Sequence, residues 1–294
     1  MSERSIIKRK SRTSFYLLVL IGLSFLWLPG AHAEIKLSFG LYASDKPTTL
    51  VRQFRPILND LEKELSQSLH TPVKIKLSIA PNYTQGLADL VNGQVDFSRF
   101  GPASYVEVKE KEPGVQLLVM ESKNGKKQFN GAIIVHSNSE INTISQLKGR
   151  SFAFGNKRST IGRYLSQNFL VEHGIYANDL SAYDYLDRHD QVGFAVAQGK
   201  FHAGAIKEST LELLIRKGQD LKAIATFKNV TKPWIARKGL EPRIFSALQN
   251  ALLNFRDKDA LKAINKDGFL SASDSDYHSV RMAITNNKKF FTGK

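Results

Sequence analysis

The chain has 294 residues and no cysteine, which excludes disulfide stapling and thiolate metal centres and leaves packing to hold the fold. Its 42 Lys and Arg against 27 Asp and Glu give a formal charge of +15. These charges are scattered, without the aromatic-interleaved stripe of an RNA or DNA binder, so no nucleic-acid partner is expected.

Residues 1–33 read as an export signal. Arg4, Lys8, Arg9, Lys10 and Arg12 form a basic start, FYLLVLIGLSFLWL (15–28) an apolar run, and Pro29-Gly30 with Ala31-His32-Ala33 a break and a small-x-small cleavage site. The run is shorter than the roughly 20 residues a membrane span needs. A cleavable signal peptide over 1–33 and a periplasmic location are therefore expected. Five basic residues and Glu3 leave with that leader, so the remaining 261 residues carry +11. That length suggests two domains. A basic exported surface favours anionic small molecules or headgroups.

Alternation predicts strands at IKLSFGL (35–41) and VKIKLSI (73–79). Between them Leu50, Phe54, Ile57, Leu58, Leu61 and Leu65 recur at helical spacing, with Pro56 either kinking that helix or opening a shorter one. NYTQGLADLVNG predicts a helix capped by Asn82 and stopped by Gly93; VDFSRF and VQLLVM predict strands around a helix beginning near Ala103-Ser104-Tyr105. A second set of strands follows at GAIIV (131–135), SFAF (151–154), HAGAI (202–206) and LKAIAT (221–226). Helices are predicted from Ser159 to Gly174 and from near Asp190 to Gly199. The end is helical, from Pro242 and through 276–286. The pattern predicts an α/β protein with mainly parallel sheets. With no low-complexity linker, the chain is expected to cross between two domains more than once.

Three stretches carry chemistry. In GNKRSTIGRYLSQ (155–167) the hydroxyls of Ser159 and Thr160 and the N–H groups of Thr160, Ile161 and Gly162 stand at a helix start, where neutral donors and positive potential suit an anion or serve an ordinary cap. In DRHDQV (187–192) His189 stands at another helix start, whose positive end favours the neutral imidazole donor. In DFSRFGPASYVEV (96–108) a turn follows a strand, and Tyr105 sits at the carboxyl edge where open sheets bind ligands; Tyr42, past the first strand, has the same placement. Ser159, His189 and Asp187 or Asp190 are the residue types of a hydrolase triad. Ser159 lies outside any G-x-S-x-G elbow, however, so no enzyme is expected. The seven histidines show no ligand spacing, so neither metal nor cofactor is expected.

In order and spacing, VNGQVDFSRFGPASYVEV, FNGAIIVHSNSEINTISQLKGRSFAFGNKRSTIGRYLSQNFLVEHGI and RHDQVGFAVAQGKFHAGAIKEST together resemble the periplasmic phosphate/phosphite/phosphonate-binding proteins of ABC transporters. The resemblance implies a two-lobed periplasmic-binding-protein fold of type 2, with one lobe formed by 34–128 plus 228–294, the other by 129–227, and the ligand between them. It implies capture of a small phosphorus oxyanion, by Ser159, Thr160, Ile161, His189 and Tyr105, by a monomer that delivers it to an ABC permease in the inner membrane; Tyr42 joins these expected ligand residues from its place past the first strand alone. A sensory module of the same fold, serving a membrane signalling partner, is the alternative. The chain departs from the family's pattern in three places. Ile161 stands where relatives carry a hydroxyl. Thr231 stands near the place of an acidic residue that meets a protonated P–OH. Around Lys207–Thr210 only Glu208 could hold an aminoalkyl tail.

Overall fold

The computed structural model describes residues 33–44 and 46–293. The expected signal peptide lies outside these residues but for Ala33. In chain order, β1 (Ile35–Tyr42), α1 (Pro47–Leu69), β2 (Val73–Ala80), α2 (Tyr83–Val91), β3 (Phe97–Arg99), α3 (Pro102–Lys111) and β4 (Gln116–Ser122) come first. Residues 123–127 then lead to β5 (Gln128–His136) and β6 (Ser151–Phe154). A π-helical turn, Thr160–Leu165, runs into α4 (Ser166–Glu172). There follow β7 (Ala182–Tyr185), α5 (His189–Ala197), β8 (Ala203–Lys207), α6 (Glu208–Arg216) and β9 (Leu221–Val230). Residues 231–232 return the chain to β10 (Pro233–Ala236), α7 (Pro242–Leu253), α8 (Lys258–Ala263), β11 (Gly268–Leu270), α9 (His278–Thr285) and α10 (Lys288–Thr292).

The strands form two sheets, ordered β11-β4-β10-β3-β1-β2 and β7-β6-β8-β5-β9. Four strands of the first sheet and four of the second run one way. β10 is antiparallel to β3 and β4, and β5 to β8 and β9. The crossings explain this mixture. Each enters its sheet at the edge where the neighbouring strands end, so the first strand after a crossing must run back against them.

Each sheet is covered on both faces. Along β5, Ile133 and Val135 enter one core and Ala132 and Ile134 the other, as the two-residue period requires. On the first sheet α1 buries Leu50, Phe54, Ile57, Leu58, Leu61, Leu65 and Leu69, each stabilising by roughly 1.5–3 kcal/mol over exposure. Phe39 stacks on Trp234 at 4.6 Å in the same core. Pro56 lies inside this single helix, which is not shortened by it, and its ring sits on the exposed side where a missing N–H is least costly. Pro47, Pro102 and Pro242 each open a helix, where no N–H partner is lost.

The chain passes between the sheets a third time. α9 packs beside α3, but Phe290 of α10 joins the second sheet's core edge-on to Phe154 at 5.5 Å. Asn287 Nδ2 donates to Gln167 Oε1 at 2.7 Å where the chain makes this step. Among the described residues, no helix is long and apolar enough to cross a membrane.

Candidate functional site

The site is assembled from strand ends. Tyr42 closes β1, Arg99 ends β3 and Lys207 ends β8, while Asn229 and Lys232 flank the return crossing. The turn after β6 brings Ser159, Thr160 and Ile161, and α5 opens on His189. All of these line one cavity, together with Ser44, Tyr83 and Phe129. The cavity has a volume of about 30 Å³, against roughly 10–15 Å³ needed for one water. The space suits an ion of a few heavy atoms.

The 155–162 turn is held by its own backbone. Gly155 N–H donates to the Gly162 carbonyl at 2.8 Å, and the two glycines approach so closely that a Cβ on Gly162 would stand 2.7 Å from Gly155 Cα. Gly162 N–H donates to Ser159 Oγ at 3.0 Å. It is therefore the cap bond and not a ligand donor, which corrects the expectation of three open N–H groups. Thr160 and Ile161 keep the orphan N–H groups of the first turn. Ser159 and Thr160 are 4 % and 5 % exposed, so their hydroxyls work in a dry site, where bonds to an anion strengthen. Thr160 Oγ1 accepts from Ala103 N–H at 2.9 Å, and its own proton remains available to donate. This bond links the two halves of the molecule, as does the ion pair between Arg158 and Glu107.

Tyr42 is fixed by stacking on Tyr83 at 3.9 Å. Its hydroxyl accepts from Gly101 N–H at 2.7 Å and lies 3.0 Å from Ser104 Oγ. Burial pushes its pKa up, so it stays a neutral donor. Tyr105 does not come to the site. One residue further along α3 than Ser104, it points to the opposite side, donates to Asp274 Oδ1 at 2.8 Å and packs against Tyr277. Its expected role as an anion donor is corrected on that ground, since helical phase turns it away from the cavity. Thr231 and Glu208 do not line the cavity either. Thr231 is fully buried, and Glu208 accepts from Asn130 Nδ2 at 3.1 Å. Asp187 accepts from Asn156 and Asp190 pairs with Arg188.

Three cations line the cavity: Arg99, Lys207 and Lys232. Arg99 is oriented by Glu121, Nε to Oε1 at 2.7 Å and Nη2 to Oε2 at 3.2 Å, which leaves Nη1 uncommitted to that carboxylate. Glu121 is fully buried. Burial pushes its carboxyl up, but Arg99, Lys266 and Lys232 together outweigh this and hold it below the ordinary value. A cation within about 4 Å of an anion attracts it by roughly 4 kcal/mol at an effective dielectric constant near 20. Sequence reasoning missed Arg99, Lys207, Asn229 and Lys232. The rule that ligands sit at strand carboxyl ends could have flagged the first two, because each ends its strand. Among the described residues no cluster of His, Cys, Asp and Glu could hold a metal ion.

Comparison with known proteins agrees with this geometry. Residues 39–277 match the family described as ABC transporter, phosphonate, periplasmic substrate-binding protein. The chain is 26 % identical over 244 residues to a probable ABC transporter phosphite binding protein, PhnD1, of Prochlorococcus marinus, covering 76 % of this chain and 81 % of that one. It is 26 % identical over 285 residues to the phosphonates-binding periplasmic protein of Escherichia coli, covering 89 % and 80 %. A structure of Prochlorococcus PhnD1 in complex with methylphosphonate superposes with a TM-score of 0.76 at 23 % identity, over 86 % of this chain and 98 % of that one.

Proposed function

Because the chain belongs to the family of periplasmic phosphonate-binding substrate-binding proteins of ABC transporters, we propose that its cavity captures a small phosphorus oxyanion: phosphate, phosphite or a simple phosphonate. The observation that carries this is the convergence of the Ser159-Thr160-Ile161 turn, His189 and Tyr42 on one dry cavity that Arg99, Lys207 and Lys232 also line. In this reading the hydroxyls of Ser159 and Thr160, the N–H groups of Thr160 and Ile161, the His189 ring and Tyr42 surround the ligand oxygens. The cations supply the attraction. An aminoalkyl tail would meet Lys207 and Lys232, a like-charge clash that selects against it.

The two sheets act as lobes, 34–128 with 228–294 and 129–227, hinged at 123–127 and 231–232. The last turn of chain, with Phe290 in the second core, serves as a strap between them. Closure brings Ala103 N–H onto the same Thr160 hydroxyl that meets the ligand, so ligand and closed state favour each other. The protein works as a monomer, is exported by its cleaved leader and hands the ligand to an ABC permease. A ligand that binds only the folded state raises stability by RT ln(1+[L]/Kd), about 2.7 kcal/mol at a hundredfold excess over Kd. Thermal-shift measurements with phosphate, phosphite and methylphosphonate test the reading. A rise in Tm with at least one is expected, and no rise with any of them at millimolar concentration would refute it.

A further inference from the structure

Helix α3 meets the anion turn through two residues one helical turn apart. Ala103 gives its N–H to Thr160 Oγ1 at 2.9 Å, and Glu107 pairs with Arg158. Their spacing puts both on one face of the helix. Their partners, Arg158 and Thr160, flank Ser159, the residue that caps the turn. One helix of the first half therefore grips the turn on both sides of its cap.

Neither Glu107 nor Arg158 lines the cavity. Arg158 is nevertheless tied to both ligand-bearing segments of the second half. Its backbone N–H donates to Asn156 Oδ1 at 2.8 Å, and Asn156 Nδ2 donates to Asp187 Oδ1 at 2.8 Å, just before His189. Glu107 has an opposing effect on such a site. Burial is the main reason that the Tyr42 pKa is raised, and the negative charge of Glu107 adds to it. A carboxylate whose charge reaches the cavity wall repels an anion held there. That repulsion acts at longer range than the contact with Arg158, so the contact outweighs it. Lys111, the other partner of Glu107, stands on the same helix and joins nothing across the cleft. We infer that Glu107 and Arg158 are a positioning pair: by joining α3 to the turn they favour the arrangement in which Ser159, Thr160 and His189 meet the ligand, and so raise oxyanion affinity without touching it. This rests on the reading of the cavity as an oxyanion site enclosed by two closing lobes.

Isothermal titration of phosphate, phosphite and methylphosphonate into the full mature chain, into Glu107→Gln, into Arg158→Gln and into the double variant tests the inference. Both side chains are partly exposed, so the variants are expected to fold, and unliganded Tm checks this. Each single variant should bind about fivefold more weakly, and the double variant no more than about tenfold, because the second change removes nothing further. The loss should lie in the dissociation rate and shrink as salt is raised. A Glu107→Gln protein that binds as tightly as wild type or more tightly shows that repulsion prevails, and overturns the inference alone. So does a double variant weakened by more than about tenfold, as when two independent losses multiply. A wild type that binds none of the three anions overturns it together with the oxyanion reading.

Discussion

Thr160→Val removes one hydroxyl and nearly nothing else, since the two side chains have almost the same shape. That hydroxyl has two tasks. Its oxygen accepts Ala103 N–H across the cleft at 2.9 Å, and it lines the cavity from a residue that is 5 % exposed. The cross-cleft bond is worth about 0.5–1.5 kcal/mol net, and a donor to an anionic ligand about 1.5–3 kcal/mol. In the proposed closure both bonds belong to the closed state that ligand favours, so both losses fall on binding. The sum, about 2–4.5 kcal/mol, corresponds to roughly thirtyfold to two-thousandfold weaker affinity. Thr160→Ser keeps the hydroxyl and should stay within about tenfold of wild type. Isothermal titration with methylphosphonate, phosphite and phosphate reads the difference. A Thr160→Val protein that binds its ligand within about threefold of wild type refutes the reasoning, because neither bond would then contribute to the bound state.

Other consequences follow from neighbouring contacts. Glu121→Gln should cost about 3–5 kcal/mol of folding stability in urea titration, because it removes the charge of a fully buried carboxylate that pairs with the largely buried Arg99; a loss under about 1 kcal/mol would mean the pair contributes little to folding. Tyr105→Phe should leave ligand affinity unchanged while lowering Tm, since its hydroxyl donates to Asp274 and not into the cavity; a clear loss of affinity would return Tyr105 to the site. Burial pushes the half-buried Glu107 carboxyl up, but Arg158 and Lys111 outweigh this and hold it below its ordinary value of 4.5. A depressed carboxyl contributes stability in full above that value and loses it as pH falls through the folded pKa. Thermal scans against pH should therefore show wild type more stable than Glu107→Gln at neutral pH, with the gap closing only below about pH 4.5. A gap that does not change with pH would contradict the assignment.

Much of the fold was legible because its elements satisfy local and global demands together. β1 and β2 alternate cleanly, Asn82 caps α2 by accepting Gln85 N–H at 2.9 Å, and Gly174 and Gly199 take the positive φ that ends a helical run. The elements that escaped are those whose identity depends on distant partners. β10 is the four-residue run PWIA, buried throughout and opened by a proline. Its strand character comes from lying between β3 and β4. β7 is AYDY, an exposed edge strand without an apolar face, and β11 is three residues long. The site was legible where chemistry sits at a helix start, as with Ser159, Thr160 and His189. It was not legible where phase decides. Ser104 and Tyr105 are adjacent in sequence, yet one faces Tyr42 and the other Asp274. Asn229 and Lys232 were hidden for another reason: one stands near the end of the second sheet's last strand and the other lies in the return crossing, so only the tertiary fold brings them to the cavity.

The central claim is that one cavity between the sheets holds a phosphorus oxyanion. It is tested most directly by isothermal titration of phosphate, phosphite and methylphosphonate into the purified mature protein, stripped of bound anions, beside Ser159→Ala and His189→Ala variants. The account predicts saturable one-to-one binding of at least one of the three, weakened about tenfold or more in each variant. Absence of binding by wild type, or binding that both variants retain at full strength, would contradict it.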